Sequence, residues 1–545
     1  MPDEPQSTKG ILNTPLTRRQ IVGGAAVFAG AAALGPLAAA CGSSSDGGSE
    51  TTAPSASSSA AAGGPQKGGD LVAGIYTGSA KDSYDPHRLA YEPEIVAGYQ
   101  LYQGLCGFTP DYKIENVLAE SVEPSADAKT WTVKLKSGLV FSDGSPVNAD
   151  AVVWSIKRIL DPKFPGNSAE MFVGLSQSGV SKVDDLTVEF ALETPNAVFT
   201  EALASRESNI VPSTWTLENA VGSGPFTLKS WTAGQQMEFL PNPNYSGDGP
   251  YVDSLTVIEY PEPTARLNAL LSGQIDWAGY MDGAQLQTIQ STPGYAAWQT
   301  KNGGWFPFTM RIDAKPFDDV KVRQAMRLIV DRQQMIDQAY DGLGWPGNDM
   351  YAIYDPGYPA DLPQRTQDLE QAKSLLKQAG QEGLTVELVC SDGVGAGTVN
   401  AAAVFAQQAK GAGVTIKVRK VDSSVMYGDE YCKWPFAMDY WGTRNYLPQT
   451  SMGSTKSAPY NETHWPGPYT DWLALVKEAW RTTDEAKRNE LVSQAATIEY
   501  DNGGYIVWSY NISSDGYADK IGGMVHDVFG GSSIGYRYHL LYYKS

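Results

Sequence analysis

The sequence predicts an α/β protein built from two or three domains, and three observations support this class. About 480 residues follow the polar segment that ends near residue 67, which is more than one hydrophobic core usually covers. Residues 131–136 alternate apolar and polar side chains with period two, as a half-buried strand does. Between residues 369 and 418, predicted helices and strands alternate, which is typical of a mostly parallel sheet with loops at the carboxyl ends of its strands.

The elements of the first half follow from short local patterns. Residues 68–76 form an apolar run bounded by glycines, which predicts a strand, and residues 83–86 predict a turn. After the strand at 131–136 and a turn at 142–146, Asn148 is predicted to cap a helix. The apolar residues that fall on one face of this helix are Val152, Ile156, Ile159 and Leu160.

Further along the chain, the predicted helices have recognisable ends. A short helix is predicted over residues 264–273 with a glycine at its end, and another is predicted to begin after Asp319. A third runs from Leu369 to a closing Gly380. Strands are predicted at residues 385–390 and 414–418, and they flank a helix over residues 400–410.

Residues 1–41 have the pattern of a bacterial export signal. Arg18 and Arg19 precede an apolar run rich in alanine and glycine, and Cys41 follows it directly. This pattern predicts cleavage before Cys41, lipidation of its thiol and attachment to the extracytoplasmic face of the cell membrane. The alternative is a short transmembrane anchor that stays attached. The arginine pair also resembles the twin-arginine signal, and residues 42–67, rich in Ser, Gly and Ala, predict a disordered tether.

The charge balance limits the class of partner. The net charge is −20, with 61 acidic and 41 basic residues, and no Lys/Arg-rich block follows the export segment. Nucleic acid is therefore a poor partner, and broad docking onto anionic lipid is disfavoured. The four histidines are scattered and there is no C-x-x-C pair, so neither a metal site nor a cofactor is predicted.

Three cysteines remain once Cys41 is assigned to lipid. Cys106 lies in an apolar run and is predicted to be a free, buried core residue. Cys390 and Cys432 are then the candidate pair for a disulfide bond outside the cytoplasm.

Five stretches of the sequence carry a recognisable pattern. The first contains a strand, the turn F-S-D-G-S-P and a capped helix. The five are residues 118–152, 222–226 with 242–245, 266–276, 315–332 and 372–380. In this order they resemble family 5 of the extracellular solute-binding proteins, the peptide/nickel class that serves ABC importers. The resemblance covers about residues 68–545.

The resemblance implies an α/β, two-lobed periplasmic-binding-protein fold with an extra small domain inserted in lobe one. Lobe one would take residues 68–112, 208–305 and 506–545. The inserted domain would take residues 113–207, and lobe two would take residues 306–505. Hinge closure would then enclose the ligand in the cleft between the lobes.

Peptide-binding relatives in this family fix the ligand's α-amino group with an aspartate of the second lobe, and Asn445 stands at the matching position. Because a neutral amide cannot compensate a buried ammonium, either another acid such as Asp439 or Glu92 takes this role, or Arg444 pairs with a ligand carboxylate or phosphate. If a free-amine peptide binds in the usual way, Asn445→Asp should tighten it. The residues predicted to line the cleft are Tyr76, Glu92, Trp305, Phe306, Trp441, Arg444, Asn445, Tyr446 and Trp508.

The implied function is capture of a small solute, foremost a peptide, and its delivery to ABC permease subunits with their cytoplasmic ATPases. An oligosaccharide or a carboxylated small molecule is the alternative ligand, and ligand sensing without transport is the alternative role. The protein is expected to be a monomer without catalytic residues. Residues 531–535 fit the G-x-S-x-G pattern of hydrolases, but only His539 follows. A glycine-rich surface turn therefore explains them better than a surface hydrolase does.

Overall fold

The computed structural model describes residues 65–76 and 81–545, so the predicted export signal, Cys41 and most of the tether lie outside the described residues. Within them the strands are β1 Asp70–Tyr76, β2 Cys106–Phe108, β3 Ile114–Asn116, β4 Ala119–Pro124, β5 Thr130–Leu135, β6 Leu175–Lys182, β7 Thr187–Leu192, β8 Phe226–Thr232, β9 Gln236–Pro241, β10 Ser254–Tyr260, β11 Trp277–Ala278, β12 Tyr295–Trp305, β13 Phe308–Met310, β14 Gly344–Pro346, β15 Thr385–Cys390, β16 Thr415–Lys420, β17 Phe436–Met438, β18 Tyr505–Ile506, β19 Ser509–Ala518, β20 Ile521–Gly522 and β21 Tyr542–Tyr543.

The α-helices of the same residues are α1 Glu92–Leu101, α2 Ala149–Ile159, α3 Phe199–Leu203, α4 Pro263–Leu271, α5 Gly283–Ser291, α6 Val320–Ile329, α7 Arg332–Ala339, α8 Leu369–Gln378, α9 Thr398–Ala409, α10 Ser423–Met426, α11 Tyr446–Gly453, α12 Thr470–Ala479 and α13 Glu485–Asn502. Short 3-10 helices lie at Ala169–Met171, Lys410–Ala412 and Tyr538–Leu540.

The first lobe is built on a mixed sheet with the strand order β12, β19, β11, β1, β10, β9 and β8, and β14 also pairs with β19. β1 lies in the interior of this sheet, parallel to β10 and β11. Its Leu71, Ala73 and Ile75 side chains are fully buried. The strand predicted within residues 68–76 is therefore confirmed.

The second lobe is built on a sheet with the strand order β16, β15, β17, β13 and β18. The predicted alternation of helices and strands is confirmed by α8, β15, α9 and β16, and β15 is parallel to both β16 and β17. β13 is the first strand after the chain enters the second lobe, and β18 is the last strand before it leaves. They pair antiparallel, so only half of this sheet is parallel.

The chain passes between the two sheets twice, and the two passages lie side by side. β12 continues into β13 through residues 306–307, and β18 continues into β19 through residues 507–508. β12 pairs with β19 in the first lobe, and β13 pairs with β18 in the second. Two short, adjacent connections are a suitable place for a hinge, because a few backbone angles there can change the angle between the sheets.

A third, four-stranded antiparallel sheet has the order β4, β5, β7 and β6, and α2 packs on it. The strand predicted at residues 131–136 is β5, and its Trp131, Val133 and Leu135 side chains are buried while their neighbours face outwards. The Asn148 side chain accepts a hydrogen bond from the Ala151 backbone N–H at 3.0 Å, so the predicted cap of α2 is confirmed.

The other predicted helix ends are also observed. α4 occupies Pro263–Leu271 within the predicted range. The Asp319 side chain accepts a hydrogen bond from the Lys321 backbone N–H at 2.8 Å, at the start of α6. Gly380 follows α8 with a φ of 65°, in the left-handed region where glycine ends helices without strain.

The structure contradicts the predicted disulfide bond, because Cys390 and Cys432 are both free. Alternate residues of β15 point to opposite faces of its sheet. Cys390 packs in the cluster that contains Leu388, whereas Val389 packs with Met426 and Ala437 on the other face. Cys432 lies with Met426 and Ala437, so the sheet separates it from Cys390. Cys106 is free and buried, as predicted.

Among residues 65–76 and 81–545, no helix has both the length and the apolar character needed to cross a membrane. In this described part, no group of three or more His, Cys, Asp or Glu side chains is arranged to hold a metal ion.

Candidate ligand-binding site

A cavity of about 520 Å³ lies between the two lobes. Its aromatic lining consists of Phe108, Tyr112, Tyr280, Tyr427, Tyr431, Tyr440, Trp441, Tyr460, Phe529 and Tyr536. Its polar and charged lining consists of Asn167, Glu201, Ser205, Arg206, Glu207, Asp439, Thr443 and Arg444. The volume lies in the range of small-molecule sites, and apolar rings with a few polar groups are the usual lining of such sites.

The second-lobe wall begins where β17 ends. This strand lies in the middle of its sheet and is fully buried, so the residues after Met438 emerge at the carboxyl end of the sheet, facing the other lobe. The backbones of Trp441 and Trp305 exchange two hydrogen bonds of 2.9 and 3.0 Å. This pairing fixes the position of the Trp441 ring in the cavity wall.

The Trp441 ring contacts two aromatic rings and one guanidinium group. It stacks on Trp305 with ring centroids 6.2 Å apart and meets the edge of Tyr460 at the same distance. The Arg444 guanidinium lies 5.6 Å from the Trp441 ring centroid, close enough for a cation–π attraction. An aromatic surface with one guanidinium beside it can bind an apolar group and an anionic group together.

The opposite wall carries an ion pair. The Arg206 guanidinium donates from Nε to the Glu207 carboxylate at 2.7 Å, and the Ser205 hydroxyl donates to the other oxygen of Glu207 at 2.6 Å. Burial alone would lower the pKa of Arg206, but the Glu207 charge outweighs it and raises the pKa above its ordinary value. Arg206 therefore keeps its charge in the cavity.

Within the described residues, hydrogen bonds made by cavity residues join the walls across the cleft. The Asn445 side-chain amide donates to the Glu201 carboxyl at 2.6 Å. The Tyr112 hydroxyl donates to the Thr443 carbonyl at 2.9 Å, and the Thr443 hydroxyl donates to the Val528 carbonyl at 3.1 Å. The structure therefore shows the lobes closed over the cavity.

Glu201 is buried at this contact between the lobes. Burial raises its pKa from 4.5 to about 8, against a lowering effect of the hydrogen bond from Asn445. Asp355 raises the pKa further and Arg488 lowers it. At neutral pH the closed form therefore favours a protonated, uncharged Glu201.

A family model described as the middle part of the bacterial extracellular solute-binding proteins, family 5, matches residues 113–462. The chain belongs to this family. Its members are substrate-binding proteins, not enzymes. The chain is 27% identical to the glutathione-binding protein GsiB of Pectobacterium atrosepticum, over 78% of this chain and 85% of the relative. It is 28% identical to the dipeptide-binding protein of Escherichia coli, over 76% of this chain and 84% of the relative.

A solved structure shows the same fold. The ABC transporter substrate binding protein CtaP of Listeria monocytogenes superimposes with a TM-score of 0.77 at 21% sequence identity. The match covers 88% of this chain and all of that one. The predicted two-lobed α/β fold of family 5 is therefore confirmed.

The structure of this family 5 protein brings two of the nine predicted cleft residues, Trp441 and Arg444, into the cavity lining. Trp305 is outside the lining and stacks on Trp441, and Asn445 is outside the lining and donates a hydrogen bond to Glu201, which lines the cavity.

The remaining five predicted residues lie elsewhere. Tyr446 donates to the buried Glu499 carboxyl at 2.9 Å. Phe306 packs against Tyr340 and Tyr440, and Trp508 is fully buried in the second-lobe core. Tyr76 and Glu92 lie together at the carboxyl end of β1, where the Tyr76 backbone N–H donates to the Glu92 carboxyl group at 2.8 Å.

Several cavity residues were missed by the sequence reasoning. Glu201, Arg206 and Glu207 come from the segment around α3, which carries none of the family pattern. Tyr427, Tyr431 and Tyr460 come from loops on either side of β17. The one available signal was the density of tyrosines between residues 427 and 460.

The G-x-S-x-G segment is buried, which corrects the expectation of a surface turn. Ser532 and Ser533 are both buried. Their hydroxyls donate to the Asp515 carboxyl at 3.1 and 2.7 Å. Ser533, the serine that the hydrolase pattern would use as its nucleophile, is therefore hydrogen-bonded to Asp515 and not to a histidine.

Proposed function

We propose that this protein is the extracytoplasmic binding component of an ABC importer and that its solute is a short peptide. The observation that carries the proposal is the closed cavity of about 520 Å³, whose walls combine aromatic rings with carboxyl groups and guanidinium groups. A short peptide presents apolar, anionic and cationic groups together. Two relatives of this chain, a glutathione-binding protein and a dipeptide-binding protein, support this ligand class.

The proposed mechanism is capture by closure. Lobe one, residues 68–112, 208–305 and 506–545, would move against lobe two, residues 306–505, by bending at the paired connections near residues 306–307 and 507–508. Closing removes the ligand from water, and the aromatic walls and the few polar groups replace its hydration. Arg444 is suited to the peptide carboxylate, because a guanidinium can donate two parallel hydrogen bonds to it.

Peptide binding is tested with purified mature protein from its own host. We expect native mass spectrometry to detect a co-purified peptide, and small-angle scattering to show compaction when a pool of short peptides is added to stripped protein. A co-purified carbohydrate, together with no compaction by any peptide, would exclude the peptide assignment.

The proposed partners are two permease subunits and their ATPases, with the protein acting as a monomer at the membrane.

Anchoring is proposed to depend on lipidation of Cys41, since two acyl chains on one cysteine give stable attachment. We expect Cys41→Ala to release the protein into the medium or leave its signal uncleaved, as measured by fractionation and intact mass. A processed Cys41→Ala protein that stays in the membrane fraction would contradict lipid anchoring. Replacing Arg18 and Arg19 by lysine should block export if the twin-arginine route is used, whereas normal export would indicate the general secretion route.

A further inference from the structure

One end of the cavity is enclosed by four aromatic rings in contact with one another. Tyr427 and Tyr431 meet edge to face with ring centroids 5.1 Å apart, and Tyr431 and Tyr460 are 6.2 Å apart. Tyr460 meets Trp441 edge to face at 6.2 Å. All four residues line the cavity. We refer to Tyr427, Tyr431, Trp441 and Tyr460 as the aromatic cage.

Two carboxyl groups lie at the base of the aromatic cage. Asp439 lines the cavity and is 3% exposed, and Glu462 is 4% exposed beside it. Asp439 Oδ1 accepts hydrogen bonds from the Tyr427 hydroxyl at 3.1 Å and the Tyr440 backbone N–H at 2.7 Å. Within the described residues, Asp439 Oδ2 and both oxygens of Glu462 make no hydrogen bond of good geometry, although the phenols of Tyr431 and Tyr505 and the Trp441 indole lie close to the pair. Buried carboxyl oxygens of this kind are costly unless a donor reaches them.

The groups closest to the two carboxyl groups are uncharged phenols and an indole, and the Arg444 guanidinium lies on the Trp441 ring, 5.6 Å from its centroid. The groups that act most strongly on them are each other, the phenols of Tyr427, Tyr431 and Tyr505, and the Trp441 indole. Burial raises the pKa of both carboxyl groups, and the charge of Asp439 raises that of Glu462 further. The pair therefore retains a proton more readily than exposed acids do.

We infer that the aromatic cage and the Asp439–Glu462 pair form a specificity pocket for a basic side chain of the bound peptide, a lysine-type ammonium or an arginine-type guanidinium. The inference rests on the proposed peptide-binding function and names its substrate class. Rings can cover the alkyl stem of such a side chain and attract its charge through their faces. The two carboxyl groups then provide acceptors and opposite charge.

The chemistry of the occupied pocket follows from this placement. An entering ammonium donates to Asp439, the carboxyl group of the pair that lines the cavity. Its positive charge favours the ionised form of both acids, so binding displaces the retained proton into solution. The excess of acidic residues in the whole chain, 61 against 41 basic ones, also attracts cationic ligands.

The test compares tripeptides that differ in one charge. Alanine tripeptides carrying lysine at the first, second or third position are matched with peptides carrying norleucine there, which keeps the alkyl stem and lacks the ammonium. We expect the lysine peptide to bind at least about tenfold more tightly at one position. Titration calorimetry in buffers of different ionisation enthalpy should show proton release for that lysine peptide and none for its norleucine match.

Two variants test whether the lysine preference and the proton release depend on Asp439 and Glu462. Asp439→Asn with Glu462→Gln should abolish the lysine preference and the proton release while norleucine peptides still bind. Glu430→Gln removes an exposed acid of the loop that carries Tyr431, paired with Lys433 at 4.0 Å, and should keep both effects. If the double variant does not fold, the wild-type comparison alone decides.

Three outcomes bear on the inference. Equal affinity for lysine and norleucine peptides at all positions overturns it and leaves the proposed function standing. An unchanged lysine preference in the folded double variant also overturns it. Absence of binding by all six peptides counts against short peptides as the ligand, not against the importer role, and the inference falls with it.

Discussion

Replacing Asp349 by asparagine is expected to lower the free energy of unfolding by about 3–5 kcal/mol. The Asp349 side chain is fully buried, and one of its oxygens accepts hydrogen bonds from Arg332 and from Arg365, both at 2.6 Å. Burial alone would raise the pKa of Asp349, but these two arginines outweigh it and hold the pKa below its ordinary 3.8. The asparagine variant leaves two cations, one of them almost completely buried, without an opposite charge.

Chemical denaturation near neutral pH measures this loss. The matched control is Asp313→Asn, because Asp313 is half exposed and pairs with Arg311 at 3.0 Å. A surface pair of this kind contributes about 0–1 kcal/mol. A loss for Asp349→Asn no larger than that of the control would contradict the argument.

The lowered pKa of Asp349 determines how the difference in unfolding free energy between the wild-type protein and Asp349→Asn depends on pH. A carboxyl group with a depressed pKa adds stability above the pKa of the unfolded chain, and this contribution is lost as pH falls through the folded-state pKa. The difference between the wild-type protein and Asp349→Asn should therefore be constant near neutral pH and shrink below about pH 4.

Local sequence patterns predicted the helices and strands whose ends or periodicity are determined by neighbouring residues. The cap at Asn148, the alternating burial of β5 and the closing Gly380 are each determined within a few residues. The antiparallel half of the second-lobe sheet was not predictable in the same way. β13, β17 and β18 are two or three residues long and buried, so they show no periodicity, and their pairing depends on where the two passages enter the lobe.

The candidate site was predicted only where the chain leaves a central strand. Trp441 and Arg444 follow β17 directly, so their place at the carboxyl end of the sheet follows from topology. Glu201 and Tyr460 reach the cavity from segments more than 200 residues apart in the chain, and nothing in the neighbourhood of either residue indicates the other. The disulfide prediction failed for the same reason, because pairing by elimination ignores which face of β15 carries Cys390.

Closure, and with it ligand affinity, is expected to weaken as pH rises from about 5 to 8, and Glu201→Gln should remove much of this dependence. Burial in the closed form raises the pKa of Glu201 from 4.5 to about 8, and opening would separate Glu201 from Asn445. Between these two values closing takes up a proton, so each pH unit disfavours it by up to about tenfold. A neutral glutamine can still accept the hydrogen bond from Asn445 and needs no proton.

Asn445→Asp should have the opposite effect. Tightening was expected only for a free-amine peptide bound in the usual way; we now expect weaker binding, because the new carboxylate would stand at hydrogen-bond distance from Glu201 in a buried contact. Two carboxyl groups so close cannot both ionise, so closure of this variant should need a further proton and weaken more steeply with pH.

The test measures the dissociation constant of one peptide by calorimetry across this pH range. The control variant is Glu120→Gln, because Glu120 is an exposed acid that pairs with Lys134 at 2.8 Å. The Glu120→Gln protein should follow the wild-type protein. Near pH 8, Glu201→Gln should bind about tenfold or more tightly than the wild-type protein, and near pH 5 the two should agree. If Glu201 instead receives the ligand's ammonium, Glu201→Gln binds more weakly at both pH values, because the amide cannot compensate that charge. The sign of the change near pH 8 therefore separates a carboxyl group that gates closure from one that contacts the ligand's charge.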